Sequence, residues 1–332
     1  MELLLDDTCQ LLFPSDIING SLLINASNQA SSYVNDPIIR IIGYTLIWKN
    51  KCKTETEEYS LFYEDKPIIY REDKNLSSTD ISTISSKMYT FYLTLPDNLP
   101  TSFEVPFGHT RYKISAYYNG ITVFKFFSVG QKIELKKCNK IIEKKTNYNA
   151  PLFCCFHSII KASFKIDHTP CVPGEIIFLD AFITNNSWED IIFTKAFIVQ
   201  IVKYWKDHTI FPIKYSRVIS EITRGIITSG SSQVWIKQPL ALPAVIPTTR
   251  LRQNPFNFFE IEYKLKIRIT LQNSKKKTLL TKKIFVGNKD ERYKKLQEPL
   301  NKFESINFSV EDCFMSKHEN IDFIPKYLVR KI

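Results

Sequence analysis

Two periodicities organise the chain. From residue 259, Phe259, Ile261, Tyr263, Leu265, Ile267, Ile269 and Leu271 alternate with Glu260, Glu262, Lys264, Lys266, Arg268 and Thr270. That is period two over 13 positions, the pattern of a long strand with one wet face. Ile160, Ala162, Phe164 and Ile166 alternate in the same way with Lys161, Ser163, Lys165 and Asp167. β-Branched and aromatic residues dominate 37–48, 89–95, 112–118 and 196–205, which predicts further strands. Helical spacing is scarce, and 289–298 is the one short helix the pattern supports.

A slower period lies above these. Phe13-Pro14-Ser15-Asp16-Ile17-Ile18 runs on to Leu23-Ile24, and Val172-Pro173-Gly174-Glu175-Ile176-Ile177 runs on to Phe182-Ile183. Leu95-Pro96-Asp97-Asn98-Leu99-Pro100-Thr101-Ser102 precedes Tyr112-Lys113-Ile114-Ser115-Ala116. Leu242-Pro243-Ala244-Val245-Ile246-Pro247-Thr248-Thr249 precedes Tyr263-Lys264-Leu265-Lys266-Ile267 in the same way. Each half closes on Val-Gly, at Val129-Gly130 and Val286-Gly287. Three landmarks in one order predict two copies of one fold, each an antiparallel β-sandwich of immunoglobulin-like type. The expected fold class is all-β: two tandem sandwiches joined by a short linker. The copies are placed at 1–135 and 152–288, with a lysine-rich linker at 136–151 and a tail at 289–332.

Composition narrows the function. With 44% hydrophobic and 13% aromatic residues in 332, the chain can bury ample core. No apolar run reaches the roughly 18 residues of a spanning helix. The opening Met-Glu-Leu-Leu-Leu-Asp-Asp carries no basic n-region, so no signal peptide is expected. Seven cysteines without a CxxC suggest neither a disulfide framework nor a zinc ribbon. Cys154, Cys155, His157 and Cys171 can be gathered into a metal site on paper, but 154–157 reads as buried strand and free Cys is commonly core.

Enzyme signatures are missing. Gly225 and Gly230 frame a P-loop spacing that continues Ser231-Ser232 instead of Lys-Ser/Thr, so its phosphate cation is lacking. The sequence has no GxGxxG, GxSxG or HExxH, and its five histidines are scattered. No catalytic residue, metal ligand or cofactor site is expected, and the protein is read as a non-enzyme.

The net charge is +11, and its distribution is uneven. Residues 1–146 hold equal numbers of basic and acidic side chains, so the excess lies wholly in the second half. There Lys264, Lys266 and Arg268 share one strand face, and Lys275, Lys276, Lys277, Lys282 and Lys283 follow on the turn and returning segment. Folded as a hairpin, these eight cations form a candidate site for anionic phospholipid or phosphorylated cargo. The other reading is a solvated face whose lysines guard an edge against aggregation. The polar stretch 71–87 reads as a first-domain loop able to reach a partner.

The run Leu95-Pro96-Asp97-Asn98-Leu99-Pro100-Thr101-Ser102-Phe103-Glu104, with Phe107-Gly108 and Arg111-Tyr112, resembles the LPxxLPxSFE…fGxxRY signature of arrestin domain-containing proteins, the alpha-arrestins. Pro173-Gly174-Glu175 through Ser187 is similar to that family's P-G-E-x-I…N-x-S run, with Ser15 where the first copy's Gly would stand. Phe323-Ile324-Pro325-Lys326-Tyr327 resembles a short FxPxYP piece found after the second domain. The resemblance implies two arrestin sandwiches and a non-enzymatic adaptor that binds membrane cargo proteins or receptors and couples them to endocytic trafficking or ubiquitin-dependent regulation. It also implies a cytoplasmic protein, peripheral to plasma membrane or endosomes. The sequence holds no PPxY, the motif through which alpha-arrestins recruit ubiquitin ligases. Two rival readings are a retromer-like arrestin-fold coat subunit and a nucleic-acid binder using the basic half. The latter lacks the paired exposed aromatics of an RNP-type surface, so no nucleic acid is expected.

Overall fold

The computed structural model describes residues 1–6, 11–24, 36–48, 56–67, 87–133, 142–150, 158–204, 212–249, 258–272, 277–287, 305–306, 323, 325 and 327–328, with the backbone alone at 56–67, 142–150, 158–159, 277–279, 305–306 and 327–328. Every described element is a strand. Among the described residues, no helix is long and apolar enough to cross a membrane. The chain divides into two units, Met1–Gln131 with Ser305–Tyr327, and Lys132–Glu304 with Leu328–Ile332.

The first unit contains β1 (Glu2–Leu5), β2 (Leu11–Leu12), β3 (Ile17–Ile24), β4 (Ile38–Trp48), β5 (Thr56–Pro67), β6 (Lys87–Thr94), β7 (Phe103–Val105), β8 (Gly108–Tyr118) and β9 (Ile121–Val129). One sheet runs β1-β3-β6; the other runs β2-β9-β8-β4-β5, with β7 on β8. All pairs are antiparallel except β2–β9. Alternate residues on both sheets are buried: Ile18, Leu22 and Ile24 on β3, Ile39 and Ile41 on β4, Tyr112, Ile114 and Ala116 on β8. Period-two patterning therefore builds the core directly, because each strand has one face to bury.

The second unit contains β10 (Ile142–Ala150), β11 (Ser158–Ile166), β12 (Ile176–Asn186), β13 (Ile191–Tyr204), β14 (Ile213–Arg224), β15 (Ser232–Ala241), β16 (Glu260–Leu271) and β17 (Lys277–Ile284). Its sheets run β10-β11-β12-β15 and β14-β13-β16-β17. Two short strands, β18 (Ser305–Ile306) and β19 (Tyr327–Leu328), pair with each other.

Hydrogen bonds repeat between the copies as the landmarks do. Phe13 N donates to Asp16 Oδ2 at 2.8 Å, and Val172 N donates to Glu175 Oε2 at 2.8 Å. Ser15 N bonds Leu95 O and Gly174 N bonds Leu242 O, with Leu95 N and Leu242 N returning bonds to Asp16 O and Glu175 O. Val129 N donates to Ser102 Oγ at 2.8 Å, and Val286 N donates to Thr248 Oγ1 at 2.9 Å. The buried Tyr112 hydroxyl reaches Pro100 O at 2.6 Å, as Tyr263 reaches Ile246 O at 2.5 Å. These bonds pair Ser102 with Thr248, where simple alignment of the two Leu-Pro runs pairs it with Thr249. The second copy is one residue shorter between its leucine and this threonine.

Part of the expected linker is not a linker. Residues 142–150 form β10, which pairs with β11 at nine positions from Ile142↔Ile166 to Ala150↔Ser158. Its lysines disguise a strand because β10 is the edge of its sheet, and lysine is common both on edge strands and in linkers. The expected tail also differs from a free extension, since Ser305–Tyr327 belongs to the first unit. Phe323 packs against Phe126 of β9 with the rings tilted, their centroids 5.4 Å apart. The expected helix at 289–298 lies outside the described residues, as do 154–157 and all of the 71–87 loop except Lys87, which opens β6.

Candidate anion-binding face

β16 occupies an inner position of its sheet, and its alternation assigns each side chain. Ile261, Tyr263, Leu265, Ile267 and Ile269 turn inward and are buried. Lys264, Lys266 and Arg268 stand half-exposed on the opposite face. Register then decides what joins them. β17 places Lys283 opposite Lys264, and Lys277 opposite Thr270 on the same row. Lys282 pairs with Leu265, so it projects on the other side of this edge strand and leaves the patch. Lys275 and Lys276 lie outside the described residues.

β13, on the far side of β16, brings two cations that the hairpin reasoning misses. Lys195 opposes Arg268 and Lys203 opposes Glu260. The signal was present in the sequence, since Lys195, Phe197, Val199, Ile201 and Lys203 share one parity. What was missing was the knowledge that β13 lies beside β16.

The face has two unlike ends. At one end Glu262 is nearly buried, with Lys283 Nζ at 2.8 Å, Lys203 Nζ at 2.9 Å and Lys264 Nζ at 4.0 Å. Burial pushes the Glu262 carboxyl up, but the hydrogen bonds and charges of Lys283 and Lys203 outweigh it and hold the pKa down to about 2. Lys203 also meets Glu260 at 3.5 Å. This end carries its own anion, and the three lysines are already engaged.

At the other end, Arg268 lies over the buried Phe197 ring, its Cζ 5.1 Å from the centroid. Such stacking fixes the guanidinium plane without consuming its outward N–H donors. Lys195 is paired with Glu221 at 2.6 Å. Lys266 and Arg268 join no ion pair among the described residues. The site chemistry is therefore a positioned arginine and a lysine on a rigid sheet, suited to a phosphate or carboxylate. Among the described residues there is no grouping of His, Cys, Asp and Glu able to hold a metal. Cys171 is buried.

Comparison with known proteins places both halves. The family description "Arrestin (or S-antigen), N-terminal domain" matches residues 1–146, and "Arrestin (or S-antigen), C-terminal domain" matches residues 157–290. A relative, arrestin domain-containing protein 17 of Caenorhabditis elegans, is 24% identical over 270 residues, covering 74% of this chain and 62% of the relative. The chain thus spans less than two-thirds of that relative's length.

Proposed function

The chain belongs to the arrestin family, and from that premise we propose that it is a non-enzymatic adaptor that binds membrane cargo proteins and couples them to endocytic trafficking. It works by binding alone, on the cytoplasmic side of plasma membrane or endosomes, with the second unit's cationic face meeting anionic phospholipid. The observation that carries this reading is the Lys266–Arg268 end of the face, where two cations stand without carboxylate partners among the described residues beside a cluster neutralised by Glu262. Ubiquitin-ligase recruitment through PPxY forms no part of the proposal, because the sequence has no such motif.

Vesicle co-sedimentation tests it. A cation near an anionic surface contributes about 1 kcal/mol, so Lys266→Ala with Arg268→Ala lowers binding to phosphoinositide vesicles by about 30-fold. Glu262→Gln removes the carboxylate that holds Lys283, leaves Lys203 with Glu260 alone, and strengthens binding. Binding of neutral vesicles stays low for all forms. Equal binding of wild type and the double variant removes the face from the mechanism.

A further inference from the structure

One turn of the second unit ties three segments together. Residues 167–175 connect β11 to β12. Within them Cys171 N donates to Phe285 O at 2.9 Å and Gly287 N donates to Cys171 O at 3.0 Å. Gly174 N bonds Leu242 O at 2.7 Å, and Leu242 N bonds Glu175 O at 2.8 Å. The entry of β12, the exit of β15 and the closing segment after β17 therefore meet at this turn.

A histidine sits between its two carboxylates. His168 Nε2 lies 2.6 Å from Glu175 Oε1, and Nδ1 lies 3.0 Å from Asp167 Oδ2. Both carboxylates are committed elsewhere by their second oxygens. Glu175 Oε2 accepts Val172 N at 2.8 Å, and Asp167 Oδ1 accepts Phe178 N at 3.2 Å. The ring meets them in ion-pair contacts without hydrogen-bond alignment at Nε2, so what binds it to both carboxylates is its charge: the imidazolium attracts both, and the neutral imidazole attracts neither. Among the described residues, the charged groups facing the ring are Asp167 on its own turn and Glu175 at the entry of β12. The Cys171 thiol is directed at the His168 backbone carbonyl, at 3.9 Å. Leu242, Phe285 and Gly287, which bond to the turn, bring no charge.

The first copy supplies an internal control. There Asp16 caps Phe13 N with the geometry Glu175 uses on Val172 N, and no histidine precedes His109 in the sequence. The imidazole is thus an addition to a turn that folds without one.

We propose that His168 is a proton-operated clamp on the second unit. The charged ring draws Asp167 and Glu175 together across the turn and holds the three-segment junction shut; the neutral ring no longer attracts them, and the junction opens more often. The contact with Glu175 raises the imidazole pKa above 6.5, outweighing burial, which lowers it. Because the folded value is raised, the clamp is fully present below 6.5 and is lost as pH rises through the folded value.

Amide hydrogen exchange on the full chain from about pH 5.5 to about pH 8.5, corrected for intrinsic chemistry, reads the clamp directly. Opening at Val172 and Phe178 rises several-fold with pH in the wild type, and stays flat in His168→Gln and at Phe13 of the first copy. An equal rise in His168→Gln, or at Phe13, overturns the proposal. If His168→Gln does not fold, Asp167→Asn keeps the ring and removes one acceptor. Its imidazole titration, followed by NMR, moves to lower pH; an unmoved midpoint overturns the clamp.

Discussion

Ser15 and Gly174 occupy equivalent turns with φ of 70° and 84°. This left-handed region costs a residue bearing Cβ about 1 kcal/mol or more, and costs glycine little. Ser15 recovers part of that through its hydroxyl bond to Asp97, which is exposed and so worth little. Ser15→Gly is therefore expected to raise first-unit stability by about 0.5 to 1 kcal/mol, measured by denaturant titration. An unchanged midpoint would show that the hydroxyl bond offsets the backbone strain. Glu262 shows the complementary limit of single-residue reading. As one acidic letter in a basic strand it looks incidental, yet it decides which of the surrounding lysines remain available.

Strands differ by what lies on either side of them. β13 and β16 are each paired along both edges, whereas β14 closes its sheet and has mostly exposed or half-exposed side chains. Amide exchange in β14 is expected to run faster than in β13 and β16. Equal protection would mean that something covers the β14 edge in solution. The alternation along 259–271 made β16 legible because its inward parity is uniformly apolar. β10 was illegible because an edge strand with lysines has the composition of a linker, and only pairing with β11 distinguishes the two. The same physics governs the candidate face. Lys264, Lys266 and Arg268 could be assigned to one side from parity, but the departure of Lys282 and the arrival of Lys195 and Lys203 follow from register between strands distant in sequence.

At the scale of the molecule, the chain returns after its second arrestin unit to complete the first. Arg111 is fully buried, held by Glu104 at 2.6 Å, and its guanidinium lies 5.8 Å from the Phe126 ring and 6.0 Å from that of Phe323. Glu104, Arg111 and Phe323 are all letters of the motifs that suggested the family, and the fold gathers them at one place. Phe323→Ala removes an aromatic pair worth about 0.5 to 1.5 kcal/mol beyond its buried area, so the first unit should lose at least that much stability and the second none. Unit-resolved exchange checks this, and equal loss in both units would contradict it. The sequence by itself determined the all-β class, the duplication and the inward faces, because burial on one side of a strand writes period two into the letters. Tertiary structure alone decided which strands are neighbours, that 142–150 is an edge strand, and where Phe323 docks. It also decided that Glu262 neutralises one end of the cationic face and that His168 stands between Asp167 and Glu175. Those outcomes depend on distances between residues far apart in the chain or on opposite sides of a turn, which local patterning does not encode.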